Sequence, residues 1–359
     1  MHWYLLALLV LTYLFNNISL HYGFDNLSYR MELPDELFEI GAEIPISSVV
    51  ENRKPLTVSF LQVREWFPPY FDIKHNTYSL FIMPFQRVRR TYKVRALKRG
   101  LYSLDKVELK LGDFIGLRSE EKRIPTGPRL VVLPARANLD RDIVPLGALS
   151  GEVTVRRWLV DDPLMTVGIR EYTGAEPRKY LHWPSSLRHG KLMVKEFDYT
   201  TDNSAMLLLN METMKPSWKP VEEELLEQGI SLARAVMELL EEAGIPYGFA
   251  SNAYNDSLER RGWYYPPGLG PNHLRTFLET LGRLHYRIPS FFELTLREVQ
   301  QHPGNYSTVV IITPRILESY IEPINGLSRR LSRTLVISLE EEHLDALDAN
   351  IIKYRGRES

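Results

Sequence analysis

Ala205-Met206-Leu207-Leu208-Leu209 is an unbroken apolar run that ends abruptly at the polar Asn210. A strand buried on both faces reads this way, because helices cover either side of a parallel sheet. Ser307-Thr308-Val309-Val310-Ile311-Ile312 and Thr334-Leu335-Val336-Ile337-Ser338 repeat the signature. Between the first two runs lies Glu222 to Ala243, where Val236, Leu239 and Leu240 recur at i, i+3 and i+4 and Gly244-Ile245-Pro246 stops a helix. Asn272 to Tyr286 and Pro314 to Leu331 carry further helical patterns. Residues 204–359 therefore read as a doubly wound α/β domain. Within it, Glu340-Glu341-Glu342-His343 looks like an acidic helix start, and Trp263-Tyr264-Tyr265-Pro266-Pro267-Gly268 like a loop, either partner-binding or packed on the domain edge.

Upstream the period changes to two. Tyr92, Val94 and Ala96 alternate with Lys93 and Arg95, and Val107, Leu109 and Leu111 alternate with Glu108 and Lys110. Half-buried antiparallel strands do this. Turn residues fall between the runs at Glu51-Asn52-Arg53-Lys54-Pro55, Phe67-Pro68-Pro69, Lys98-Arg99-Gly100 and Pro125-Thr126-Gly127-Pro128. That spacing predicts an all-β, immunoglobulin-like sandwich over residues 28–134. The run from Arg87 to Arg99 is locally basic and could approach anionic lipid headgroups, but its alternation with apolar residues reads rather as the solvated face of a strand.

The first 27 residues differ again. From Trp3 to Leu20 no side chain is charged. A helix of that length reaches about 27 Å, close to the hydrocarbon thickness of a bilayer, so a single-pass membrane anchor is expected. The basic start and small-residue cleavage site of a secretory signal are both missing. Arg30 is the first cation after the run and leans the globular part toward the cytoplasm.

The chain has 359 residues, 44% hydrophobic and 25% charged, with Lys and Arg balancing Asp and Glu to a net charge of −1. Disordered and collagenous classes are excluded, and no global field recruits nucleic acid. There is no cysteine, which removes disulfides, thiol nucleophiles and Cys-ligated metals.

Residues 135–203 connect the two patterned regions and concentrate Arg, Tyr, Trp and His. Gly168-Ile169-Arg170-Glu171-Tyr172-Thr173 leads into Gly174-Ala175-Glu176-Pro177-Arg178-Lys179-Tyr180, then Leu181-His182-Trp183-Pro184-Ser185-Ser186-Leu187-Arg188 and Leu192-Met193-Val194-Lys195-Glu196. This order resembles the hallmark of the domain-of-unknown-function 58 family: Arg-x-Tyr, a Gly-Asp turn, a basic residue, Ile-His-Trp, Ser-x-Arg, then Leu-x-Val-(Lys/Arg)-Glu. Ala175-Glu176 stands where Gly-Asp is usual, and Lys179 where Arg is usual. Lys98-Arg99-Gly100-Leu101-Tyr102 and Gly112-Asp113-Phe114-Ile115-Gly116-Leu117 resemble the family's sandwich.

The resemblance implies a bacterial membrane protein whose second domain is von Willebrand factor A-like. It implies assembly or regulation through protein contacts, in company with a MoxR-type AAA+ ATPase and neighbouring membrane proteins. Arg170, Tyr172, Glu176, Lys179, His182, Trp183, Ser186 and Arg188 then build either a clasp between domains or a partner surface. A von Willebrand A-like domain can hold Mg²⁺ through an Asp-x-Ser-x-Ser loop; the matching positions are Asn210, Glu212 and Met214. A thioether is a poor ligand for a hard cation, so no metal is expected. A metal-dependent adhesion module is the alternative function. No phosphate-binding loop, nucleophile elbow or His-Glu-x-x-His sequence occurs, and no enzyme is expected.

Overall fold

The computed structural model describes residues 2–113, 118–146, 166–173, 181–197, 204–214, 222–255, 263–301 and 306–357. Of residues 2, 5–9, 15, 166–168, 195–197, 255 and 263 it describes the backbone path alone. The chain forms two compact units, Met1–Ala135 with Leu278–Arg283, and Arg136–Phe277 with Leu284–Ser359.

The first unit opens with α1 (His2–His21) and continues through β1 (Leu27–Glu32), β2 (Phe38–Glu39), β3 (Glu43–Asn52), β4 (Val58–Trp66) and β5 (His75–Ile82). Then follow β6 (Arg87–Arg95), β7 (Gly100–Ser103), β8 (Lys106–Gly112), β9 (Ser119–Pro125) and β10 (Arg129–Leu133). One sheet has the order β1-β3-β6, a second β5-β4-β8-β9, and a small third β2-β10-β7. Inward residues of the first two sheets, among them Ile44, Ile46 and Val94 facing Leu61, Val63 and Leu109, form one core. This is a β-sandwich built on the period-two alternation.

Register places the start of β1, the end of β3, the start of β6, the end of β5 and the end of β8 at one end of the sandwich: Leu27 pairs with Asn52, Glu51 with Arg87, Val58 with Ile82 and Phe60 with Gly112. Helix α1 enters at that end. Its last turns are fastened there: Asn16 Nδ2 donates to Asp113 Oδ2 at 2.8 Å, and the buried Lys54 ammonium donates to the carbonyls of Tyr22 and Gly23. A cation at the carbonyl end of a helix meets both its free acceptors and its dipole. Gly23 has no alternative, since a Cβ there would stand 2.5 Å from a Leu111 methyl.

Among the described residues no helix is long and apolar enough to cross a membrane. The expected span over Trp3–Leu20 forms as a helix, but Asn16, Ser19 and Leu20 are buried in the sandwich unit. The stretch before the buried turns, Trp3–Leu14, is about 18 Å of helix against about 30 Å of hydrocarbon. Its side chains at Trp3, Tyr4, Val10, Leu11, Tyr13 and Leu14 are all more than half exposed.

The second unit contains α2 (Leu139–Asp142), β11 (Ile143–Leu146), β12 (Thr166–Glu171), α3 (Trp183–His189), β13 (Met193–Phe197), β14 (Ala205–Leu209), α4 (Glu223–Glu242), β15 (Tyr247–Ser251) and β16 (Tyr254–Asn255). It continues with β17 (Trp263–Gly268), α5 (Pro271–Arg283), β18 (Leu284–His285), α6 (Phe292–Gln300), β19 (Thr308–Thr313), α7 (Glu318–Ser328), β20 (Arg333–Ser338), a 3₁₀ turn (Leu344–Ala346) and β21 (Ile352–Gly356). The main sheet has the order β11-β21-β20-β19-β14-β15-β17. Strands β15, β14, β19, β20 and β21 are parallel, and the two edge strands are antiparallel to their neighbours. The three apolar runs are its central strands, buried on both faces as expected. Helix α4 buries Leu226, Ile230, Ala233, Met237 and Leu240 as one stripe, and Gly244 at φ 69° ends it.

Several expectations are corrected. Trp263–Gly268 is an edge strand rather than a loop, where its two prolines are tolerated. Its partner β15 has glycine at 248 because a Cβ there would lie 2.6 Å from the Tyr265 carbonyl oxygen. Glu340–His343 starts no α-helix: His343 sits at φ 58°, which breaks the helical path, and a 3₁₀ turn follows. The pattern over Pro314–Leu331 narrows to α7, and α6 went unmarked although Phe292, Leu296 and Val299 share one face. Residues 143–146, placed by sequence in a connecting segment, pair with β21.

Candidate functional site

Two places answer to the sequence: the β12-α3-β13 hallmark and the loop after β14. In the hallmark, β12 and β13 form an antiparallel pair in which Arg170 faces Val194 and Glu171 faces Met193. Backbone bonds from Tyr172 N to Leu192 O and from His182 N to Met193 O, both 2.8 Å, extend the ladder.

The His-Trp-Pro-Ser-Ser sequence is then a helix start. His182 caps α3: its Nδ1 accepts from Ser185 N at 3.2 Å and lies 2.9 Å from Ser185 Oγ, and Pro184 occupies the first turn, where its missing N–H costs nothing. Gly190 at φ 63° closes the helix. Ser186, 7% exposed, staples it to β13 by donating to His182 O at 3.0 Å and accepting from Met193 N at 2.8 Å. Among the described residues no carboxylate bonds to the His182 ring.

Several of the other described hallmark side chains lie at the surface. Arg170 and Arg188 are exposed, Trp183 is 60% exposed, and Leu187, four residues on and so on the same helix face, is 83% exposed. Tyr172 is half-buried, and Lys191 pairs with Glu171 at 3.4 Å on the surface. Glu176 and Lys179 lie outside the described residues.

The loop after β14 sits where the strand order reverses, between β14 and β19, the usual place for a ligand in such sheets. Here the polar groups are turned on each other. Asn210 Oδ1 accepts from Glu212 N at 2.8 Å and from Asn252 Nδ2 at 3.1 Å, and its Nδ2 donates to Thr313 Oγ1 at 2.9 Å. Asn252 Oδ1 accepts from Met211 N at 2.8 Å, and Thr313 Oγ1 donates to Arg315 O at 2.7 Å. Glu212, fully buried, accepts through Oε2 from Phe292 N at 3.3 Å and from the Tyr320 hydroxyl, while its Oε1 has no partner among the described residues. Burial and then the Glu212 carboxylate push the Tyr320 phenol far up, so it remains a donor. Met214 is half-buried, and no group of three acidic or His side chains converges among the described residues.

Sequence reasoning missed Asn252, Thr313 and Tyr320. The first two had a signal: Asn252 directly follows the buried strand β15 and Thr313 ends the buried strand β19, where switch-point groups collect. It also missed Glu65 in the sandwich, fully buried and bonded to Tyr29 at 2.7 Å, Tyr78 at 3.0 Å, Asn76 at 3.1 Å and Ser48.

No protein-family model matches the sequence, and no curated protein matches it. Among solved structures the chain is similar to the CARDB domain of the PF1109 protein from Pyrococcus furiosus, crystallised in complex with di-metal ions, at 12% identity over 30% of this chain and 91% of that one, with a TM-score of 0.23. A FixG-related protein from Vibrio parahaemolyticus is similar at 8% identity over 30% of this chain and 97% of that one, with a TM-score of 0.20. At such scores neither likeness bears on what the chain does.

Proposed function

We propose that the chain is a membrane-attached, non-enzymatic assembly or regulatory protein of the domain-of-unknown-function 58 type, working through protein contacts. Its second unit serves as the von Willebrand A-like part, and a MoxR-type AAA+ ATPase is the partner class the hallmark resemblance favours. The observation that carries this reading is the hallmark surface. His182 and Ser186 are spent on holding α3 against β13, whereas Trp183, Leu187, Arg170 and Arg188 are left exposed on that rigid frame. An exposed aromatic beside arginines on a fixed element is the composition of a binding hot spot. Helix α1 supplies the attachment, and Arg30 favours the cytoplasmic side for both units.

The metal-dependent adhesion alternative has one observation in its favour, the unpartnered buried Oε1 of Glu212. Against it, both Asn210 amide groups are already engaged and Met214 offers a thioether, so of the three motif side chains only Glu212 has an open oxygen, too few for a hard cation.

A photo-crosslinking residue at Trp183, in full-length protein co-expressed with a MoxR-type ATPase, tests the proposal. An adduct is expected, and Arg188→Ala with Trp183→Ala should weaken capture of that ATPase at least tenfold without changing the melting temperature. Undiminished capture by the double variant would remove the hallmark as the contact surface.

A further inference from the structure

The sandwich end that receives α1 carries a second apolar feature. Strands β5 and β6 are joined there by Met83-Pro84-Phe85-Gln86, closed by Gln86 N donating to Met83 O at 3.2 Å and Met83 N donating to Gln86 Oε1 at 2.7 Å. Asn52 Nδ2 ties the tip to β3 by donating to Met83 O at 3.0 Å. The frame is stiff, yet its side chains are turned to the outside: Phe81 is 55% exposed, Met83 58% and Phe85 70%. Phe85 holds φ at 56°, a conformation that a bulky L residue adopts at a cost. At the opposite end, Tyr70 also has positive φ, but the Lys98 ammonium covers its ring at 4.6 Å.

Charge changes along the same sheet. Far from α1, Lys93 and Arg95 of β6 both reach Glu43; nearer the middle Arg89 reaches Glu32 and Arg90 lies over the Tyr78 ring. Beside the tip, three arginines share one acid. Arg53 binds Glu51 at 2.7 Å, Arg87 is its cross-strand partner, and Arg30 lies diagonally across on β1. Arg53 above all, with Arg87 and Arg30 behind it, holds the Glu51 carboxyl below its usual range. The end that presents aromatic and Met side chains thus also presents a cluster of arginines around one carboxylate.

We propose that the Phe81/Met83/Phe85 tip and the Arg30/Arg53/Arg87 cluster form a second membrane contact, which seats the sandwich on an anionic bilayer surface at the foot of α1. This rests on the reading of α1 as a membrane attachment. The occupant follows from the pairing of features. Aromatic side chains settle at the headgroup level, and clustered arginines are drawn to anionic lipid. Because Lys54 and Asn16 fasten the helix to this end, a bilayer that takes up α1 is brought to the tip. A helix of about twelve residues, the length of Trp3–Leu14, reaches through little more than one leaflet, so a second contact would supply grip and fix orientation.

The absence of cysteine permits single-site labelling of the full-length chain. Leu11→Cys, Phe85→Cys and Tyr70→Cys would each carry an environment-sensitive fluorophore. Each is mixed with vesicles of phosphatidylcholine alone, or with 30% phosphatidylglycerol (about that fraction suffices to give a negative surface), containing nitroxide-labelled lipid. The expected result is blue shift and quenching at Leu11 and Phe85 and none at Tyr70. Quenching at Phe85 should fall at least threefold without phosphatidylglycerol or in Arg53→Glu/Arg87→Glu, while that at Leu11 persists. Quenching at Leu11 with none at Phe85 overturns this inference and leaves the attachment standing. No quenching at Leu11 overturns both.

Discussion

Glu65 is a carboxylate at the centre of an apolar core with no cation against it. Along β4 it falls in phase with Leu61 and Val63, so the strand's own alternation carries it inward. Its oxygens accept from neutral donors, Tyr29 at 2.7 Å, Tyr78 at 3.0 Å and Asn76 at 3.1 Å. Burial, and next the Glu65 charge, push both phenols far above their ordinary value, so they stay protonated. Tyr29→Phe should cost about 1.5–3 kcal/mol, the range for a bond to a charged group, but under about 1 kcal/mol once Glu65→Leu has removed the charge. Urea midpoints of the four proteins check this, and equal costs in both backgrounds would dissolve the network. The pH sign follows: a phenol whose folded pKa is raised gives its full stability below the unfolded value of about 10 and loses it as pH climbs further. Alkaline unfolding should therefore begin above about pH 10 and be less steep in Tyr29→Phe. At Glu212 the complementary expectation is chemical silence. Isothermal titration with Mg²⁺ should show no binding in the micromolar range, and heat that vanishes in Asn210→Ala would restore the adhesion reading.

Elements explain which parts of the molecule were legible beforehand. The central strands of the second sheet, β14, β19 and β20, announced themselves because every residue but Arg333 is buried, and a parallel sheet leaves no polar face to break the run. Helix α4 was legible from its stripe and its Gly244 stop. What escaped depends on partners distant in sequence. Trp263–Gly268 looked like a loop because two prolines are fatal to a central strand and harmless on an edge, and only the pairing with β15 says which it is. The hallmark was legible as a segment, yet the division of labour within it, His182 and Ser186 inward and Trp183 outward, was set by the register of β13. The β5–β6 tip shows a further limit, since nothing in Met83-Pro84-Phe85-Gln86 announces a positive φ. Asn tolerates that region, so Phe85→Asn should stabilise the protein by about 1 kcal/mol. Tyr70→Asn should gain less, because it also forfeits the Lys98 contact, worth about 0.5–1 kcal/mol at an exposed site. Thermal melts of the two variants decide it, and a loss at Phe85→Asn would mean the tip is not strained.

At the scale of the whole molecule the organising fact is where α1 stops being helix and becomes part of a domain. Up to Leu14 its described side chains are exposed; from Asn16 one side of the helix, Asn16, Ser19 and Leu20, is buried in the sandwich unit, and Lys54 closes the carbonyl end. A flexible tether would let the units diffuse freely beneath a membrane, whereas a helix fastened at its base transmits its own orientation to the unit that holds it. The fastening and the attachment are separable. Removing residues 2–15 deletes the exposed apolar part but keeps Asn16 and the Lys54 cap, so the shortened chain should melt with the full-length protein and remain in the supernatant when anionic vesicles are sedimented. Lys54→Met keeps the apolar part and strips the cap. With the carbonyls of Tyr22 and Gly23 left buried and unmet, it should lose about 1–3 kcal/mol of stability while still sedimenting with vesicles. Full-length protein that stays in the supernatant would defeat the attachment. If the truncated chain sedimented as strongly as the full-length one, membrane binding would belong to the arginine-flanked tip, with α1 an accessory to it.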